Sequence, residues 1–306
     1  MTGTLPTRQL GKDGPEAPVI CFGAWPLGGG MGSIEEAQAI RTVHAAIDAG
    51  VNFIDTAEGY RTSESTLGKA LKGRRDKVLL ASKLSGDHSR EHIQQAIENS
   101  LSQLGTDHLD LYQIHGPRPR WPIEDTMAEL QKLQDQGKVQ YLGVSNFSAG
   151  QIAGASEHGT ITSAQPHYSM LFRWAEQDSL PYCLENGIGV MVYSPIGRGL
   201  LTGKYPPGHR FAGDDSRADH PSLTAEVREA AYRVCERLQP WARDHGYTMA
   251  QLAIAWTLGN PAVTSAICGA KTPEQAVENA QAGMWRLSES DMAEIETQIS
   301  GLSPGV

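Results

Sequence analysis

Short apolar runs alternate with amphipathic stretches along most of this chain. Eight runs are rich in aliphatic and β-branched residues: 19–24, 51–55, 78–83, 109–114, 140–145, 161–166, 189–194 and 265–269. Most are apolar almost throughout, the pattern of parallel strands buried on both faces. Between them the period changes to that of a helix. Ser33 and Glu36 have the spacing of a capping box, and Ala37, Ile40, Val43 and Ile47 recur on one face before Gly50. Ser89 opens a second helix, striped by Ile93, Ala96, Ile97, Leu101 and Leu104 and stopped by Gly105. Pro122 starts a third, with Met127, Leu130 and Leu133 before Gly137. Residues 250–258 and 273–282 read the same way.

Eight strands alternating with helices over 306 residues predict an α/β fold, a (β/α)8 TIM barrel, as a single domain spanning residues 1–306. An open doubly wound sheet is the rival. It lacks its usual mark, because Gly28-Gly29-Gly30 does not have GxGxxG spacing at a strand-to-helix turn. Residues 205–222 form one long polar, Pro/Gly-rich interruption, expected to lie over the mouth of the barrel.

Composition narrows the partners. The chain has 26 basic and 35 acidic residues, a net charge of −9, which argues against nucleic acid. No run approaches the roughly 20 apolar residues of a membrane span, and the N-terminal stretch has no signal-like apolar core, so no membrane partner is expected. Cys21, Cys183, Cys235 and Cys268 are scattered, which suggests free thiols in a reducing cytoplasm. Neither cysteine nor histidine spacing marks a metal site, so none is assigned.

Barrel enzymes place their chemistry at the carboxyl ends of strands. Those ends carry Asp55, followed by Tyr60, in DTAEGY; Lys83 in LLASK; and His115 in LYQIHGP. They continue with Ser145-Asn146 in GVSNF, Gln165 in SAQP and Tyr193-Ser194-Pro195. A phenol with an ordinary pKa near 10 is a poor acid at neutral pH. A nearby ammonium is expected to lower that pKa, while a buried carboxylate keeps the ammonium charged and an imidazole orients the substrate oxygen. Such a set can protonate an alkoxide as it develops.

These motifs, together with SAQPHYS, VYSPIGRGLLTGKY and the late GAKTPEQAVEN, resemble the aldo-keto reductases in order and spacing. TRQLG near the start is similar to that family's N-terminal β-hairpin. The resemblance implies an oxidoreductase that reduces an aldehyde or ketone to an alcohol, reversibly, by hydride transfer from NADP(H), with NAD(H) possible. Tyr60 then resembles the proton donor, Lys83 its electrostatic partner, Asp55 the lysine's counter-ion and His115 the substrate-orienting residue. Ser145, Asn146 and Gln165 match positions that bond the nicotinamide carboxamide, and Tyr193 the ring that stacks on it. The stretch from Ser194 to Leu200, with Pro195, Ile196, Gly197 and Gly199 among its cofactor contacts, resembles, together with Lys204, the loop covering the pyrophosphate. Gly269, Ala270, Lys271, Gln275, Glu278 and Asn279 match the adenosine and 2′-phosphate segment. Gly23, Ala24 and Trp25 complete the expected cofactor neighbours, and Trp25, Trp121 and Trp174 are candidate walls of the substrate pocket.

The chain departs from the family in two places. Tyr60 is followed by RTSE, two residues shorter than the usual stretch, and Gln275 stands where an arginine is common. Two other functions compete with this one: a cofactor-binding regulatory protein on the same fold with little turnover, and a barrel lyase or isomerase without nicotinamide. The expected partner is a small carbonyl or alcohol. Neither its identity nor the oligomeric state can be read from one sequence.

Overall fold

The computed structural model describes residues 4–302; residues 1–3 and 303–306 of the expected domain lie outside the described residues. A two-stranded antiparallel hairpin comes first, β1 (Thr7–Gln9) and β2 (Glu16–Pro18). Eight parallel strands follow: β3 (Ile20–Gly23), β4 (Phe53–Asp55), β5 (Leu79–Leu84), β6 (Leu109–Ile114), β7 (Val139–Ser145), β8 (Ser163–Gln165), β9 (Gly189–Tyr193) and β10 (Ser265–Gly269). They pair in sequence order, and β10 closes on β3, making a (β/α)8 TIM barrel. Each overlaps one of the eight apolar runs. The hairpin shuts the amino-terminal end of the barrel, where the Lys12 amide donates to the Gly187 carbonyl at 2.8 Å. There Leu10 and Ala17 pack with Cys21, Phe53, Leu111 and Met191 in a small core of their own.

The larger core lies between the strands and the surrounding helices. These are α1 (Glu36–Asp48), α2 (Ser63–Ala70), α3 (Arg90–Leu104), α4 (Ile123–Asp135), α5 (Ala149–Ser156) and α6 (Ser179–Asn186). Two helices, α7 (Ala225–Asp244) and α8 (Met249–Gly259), fill the interval between β9 and β10. The chain closes with α9 (Pro273–Ala282) and α10 (Glu289–Ile299). Almost every residue of α8 is buried, which explains its lack of an exposed polar face. Among the described residues, no helix is long and apolar enough to cross a membrane.

Local signals succeeded unevenly. Ser89 caps α3 by accepting from the His92 amide, and Gly105 ends it in the left-handed region with φ of 65°. Ser33 does not cap α1. The residue at that position is Glu35, without a side-chain bond, and the Ser33 amide instead donates to Asp214 at 3.2 Å. The capping-box spacing is present, but the tertiary contact with the 205–222 loop takes Ser33 away from the helix.

One glycine positions the site directly. Gly28 ends the short helical turn Trp25–Gly28 after β3, and a Cβ there would collide with the Tyr60 carbonyl. Close approach of the two loops therefore depends on the missing side chain. Gly28→Ala is expected to cost about 1–3 kcal/mol, the usual range for overpacking. The check is a fall of several degrees in thermal midpoint, together with a loss of turnover larger than that of a surface control such as Gly150→Ala, an exposed position with open space and no positive φ.

Candidate active site

The carboxyl ends of the barrel strands face one long cavity of about 850 Å³, bounded by Trp25, Asp55, Tyr60 and His115 at one end and by Lys271, Glu278 and Asn279 toward the other. At its floor Lys83 is fully buried, and its ammonium is bonded to Asp55 and to the Thr56 carbonyl at 2.8 Å. The same ammonium stands 5.1 Å from the centre of the Tyr60 ring. The Tyr60 hydroxyl lies 3.4 Å from His115 Nε2, and His115 Nδ1 lies 2.7 Å from the Ser85 hydroxyl. Asp55, Tyr60, Lys83 and His115 are thus brought together.

The loop carrying Tyr60 is held at several points. Its amide donates to the Ala57 carbonyl at 3.0 Å, and the Ser63 hydroxyl donates to the Ala24 carbonyl at 2.9 Å. These bonds place the shortened RTSE stretch so that it still delivers the phenol to the rim.

Charge and burial set the titration of each group. Burial lowers the Lys83 pKa, but attraction to Asp55 and Tyr60 outweighs it and the lysine stays above its ordinary value. For Tyr60 the expectation of a lowered pKa is corrected. Burial pushes the phenol up, Lys83 pulls it down, Asp55 pushes it up again, and the net direction is upward. Desolvation of the phenolate wins, so the hydroxyl holds its proton at neutral pH. His115 is pushed down to about 3 by burial, with repulsion from Lys83 and Arg118 adding to it, so the imidazole is neutral.

Gln113 and Gln165 lie deeper. Both donate to Asp55 Oδ1, at 3.1 and 3.0 Å, and Gln165 also donates to Gln113 Oε1. Gln113 is fully buried and was not anticipated, because a lone glutamine inside an apolar strand carries no spacing signal. The Ser145 hydroxyl donates to the Gln165 carbonyl, and the Asn146 amide to the His115 carbonyl at 2.8 Å. The Tyr193 hydroxyl donates to Asn146 Oδ1 at 2.8 Å, and its ring stacks on His167 at 4.9 Å and 6°. Asn146 and Ser194 both have positive φ, 60° and 58°, a conformation that non-glycine residues take mainly where the surroundings enforce it.

Along the rest of the wall lie Gly23, Ser194, Pro195, Ile196, Lys204, Gly269, Ala270, Lys271, Gln275, Glu278 and Asn279. Ala24, Gly197, Gly199 and Leu200 are buried behind it. Lys271 Nζ donates to the Met31 carbonyl at 2.8 Å, while Gln275 caps its backbone amide. Of the three tryptophans, only Trp25 borders the cavity, 6.5 Å from Tyr60. Trp121 stacks near His88 and Arg120, and Trp174 packs on the main core, so the expected aromatic wall is not formed by them. The cavity also takes in Arg198, Arg217, Arg243 and Thr248. Arg198 lies inside SPIGRGLL and Arg217 inside the 205–222 loop, where no period points a side chain.

The 205–222 loop does cross the mouth. Asp215 pairs with Met31 in an isolated bridge, and the Ser216 hydroxyl donates to the Gly30 carbonyl. Arg217 is locked to Asp215 at 2.6 Å.

The family model for the aldo/keto reductase family matches residues 19–299, and the chain belongs to that family. It is 36% identical to the aldo-keto reductase YhdN of Bacillus subtilis over 94% of this chain and 92% of that protein. It is 35% identical to a probable voltage-gated potassium channel subunit beta of Arabidopsis thaliana, over 90% of each. Among solved structures, the glycerol dehydrogenase AKR11B4 from Gluconobacter oxydans superposes with a TM-score of 0.87 at 31% identity, covering 98% of this chain and 96% of that one. The family comprises oxidoreductases acting on small carbonyl compounds and generally binds nicotinamide cofactors.

Three imidazoles, His88 buried and His115 and His167 partly buried, make stability depend on pH. His115 and His167 are pushed down to about 3 and His88 to about 4, mainly by burial. Their folded pKa values lie below the ordinary 6.5, so their contribution is complete above pH 6.5 and is lost as pH falls, to about 4 for His88 and about 3 for His115 and His167. Each takes up a proton on unfolding, a slope of about 1.36 kcal/mol per pH unit. Urea unfolding between pH 7.5 and 5 is expected to show this loss, and His115→Gln to reduce its slope. A stability that is flat over this interval would contradict the assignment.

Proposed function

We propose that this chain, acting as one barrel domain, reduces an aldehyde or ketone to an alcohol, reversibly, and prefers NADP(H) to NAD(H). The observation that carries the reading is the Tyr60 hydroxyl beside neutral His115, with a buried, paired Lys83 under its ring, opening on a cavity of about 850 Å³. The donor set of that cavity suits such a group. Lys204 and Lys271 supply cations for phosphates, and the amino end of α9 favours an anion. Ser145, Asn146 and Gln165 offer amide and hydroxyl groups for a carboxamide, and Tyr193 offers a ring face.

When bound, the nicotinamide supplies or removes a hydride at the carbonyl carbon. Tyr60 gives its phenolic proton to the substrate oxygen, and Lys83 stabilises the phenolate left behind. His115, neutral and fixed by Ser85, hydrogen-bonds the substrate oxygen and holds it against the phenol. Asp55 keeps Lys83 charged in a place where an unpaired ammonium would be costly. The plant channel subunit among the relatives favours a second reading, a cofactor-binding regulator with little turnover.

Tyr60→Phe removes only the hydroxyl. Turnover is expected to fall by at least about 10²-fold, the lower range for an acid–base group, while NADPH binding, followed by its fluorescence, stays nearly unchanged. Wild-type protein that binds NADPH but turns over no carbonyl compound would favour the regulator.

The cofactor preference rests on Lys271. A lysine reaching a 2′-phosphate contributes roughly 1.5–3 kcal/mol, or about ten- to hundredfold in affinity. Gln275 in place of an arginine leaves no bidentate partner to raise it further. Lys271→Ala is expected to raise the KM for NADPH about tenfold or more and to leave that for NADH nearly as it was. Equal KM values for the two cofactors in the wild type would end this assignment.

A further inference from the structure

Arg198 is a cation on the cavity wall to which the described residues supply no counter-ion. Arg198 follows β9 with φ of 55° and reaches across the rim, its guanidinium carbon 4.8 Å from the centre of the Trp25 ring. Its Nε is buried without a partner, and its guanidinium donates no hydrogen bond to any described residue. Arg217 beside it shows the contrast, being held by Asp215 through both nitrogens of its fork. Among the described residues, no acid on the wall is free to serve Arg198. Asp55 is taken by Lys83, Gln113 and Gln165, and Glu278 accepts from Thr248 at the adenosine end.

Position separates this charge from those already accounted for. Lys271 is tied to the Met31 and Gly32 carbonyls. Arg198 lies on Trp25, whose ring is 6.5 Å from that of Tyr60, and its field reaches Tyr60, Tyr193 and His167 alike. A half-buried guanidinium without a counter-ion carries a desolvation cost that an incoming anion relieves. Its planar fork suits a carboxylate or a phosphate.

We infer that Arg198, backed by Trp25, is a specificity residue that selects carbonyl substrates bearing a negatively charged group, a carboxylate or a phosphate ester, near the reacting carbon. This rests on the proposed reductase activity and names the substrate class for the same site.

The test uses the NADPH-loaded protein and matched carbonyl pairs: 2-carboxybenzaldehyde with benzaldehyde, succinic semialdehyde with butanal, and glyceraldehyde 3-phosphate with glyceraldehyde. In the wild type, kcat/KM is expected to favour the charged member by about ten- to hundredfold, the range of a hydrogen bond to a charged group. Arg198→Met should bring that ratio close to one, and Arg198→Lys should retain part of it. The pair with the largest ratio distinguishes carboxylate from phosphate. A wild-type ratio at or below one overturns the inference whatever the variants do, as does a ratio that Arg198→Met leaves intact. Equal losses on both members, matched by weaker NADPH binding, would overturn it too and make Arg198 a cofactor contact. Calorimetric titration of the NADP-loaded protein with benzoate and with inorganic phosphate supplies a readout without turnover. Tighter binding of either anion to wild type than to Arg198→Met upholds the anion site even if no carbonyl is reduced, in which case the reductase reading alone fails.

Discussion

A fully buried ammonium organises the carboxyl end of this barrel. Lys83 has no access to water, so its charge must be balanced inside the protein, and Asp55, the Thr56 carbonyl and the face of the Tyr60 ring do so. Asp55 in turn is held by Gln113 and Gln165, which fixes the carboxylate at the centre of a hydrogen-bonded layer drawn from β4, β5, β6 and β8. Removing Asp55 would leave the buried Lys83 charge unpaired and the Gln113 amide without its acceptor, the costly half of the hydrogen-bond asymmetry. The catalytic proposal and the stability of this layer therefore depend on the same ion pair.

Burial then decides which form each group takes. Attraction from Lys83 favours a phenolate, but loss of water around Tyr60 disfavours it more, and the phenol remains an acid with a strong incentive to lose its proton only when the ammonium is left to stabilise the result. The same loss of water makes His115 neutral. One barrel floor thus sets a proton donor, a fixed charge and an uncharged hydrogen-bonding group within a few ångströms. Above it the mouth is rimmed by cations, of which Arg217 is satisfied by a protein partner and Arg198 is not.

The closing elements show how long-range contacts override local signals. Ser33 has the spacing to cap α1, yet its amide is used to anchor the 205–222 loop at Asp214. The 205–222 loop itself is polar and irregular, and its bonds to Gly30, Met31 and Ser33 show where it lies. Helix α7 was not anticipated, although Thr224 caps it and Val227, Ala231, Val234 and Leu238 form its buried stripe. It follows directly on that loop, and its boundaries were hidden by the run of turn-forming residues before it.

The residues alone determined the alternation of strands and helices, and with it the barrel, because burial on both faces leaves a strand almost no polar positions. They also placed Asp55, Lys83 and His115 on one rim, since parallel strands all present their carboxyl ends to the same side. Only the tertiary structure decided what those positions touch. Gln113 joined the site because its neighbours in the barrel are distant in sequence, while Trp121 and Trp174 turned away because loop side chains follow packing rather than period. The direction of the Tyr60 pKa and the isolation of Arg198 likewise depend on what surrounds each group in space. Solvation and through-space charge have no linear code, and a sequence displays neither until the chain has closed around them.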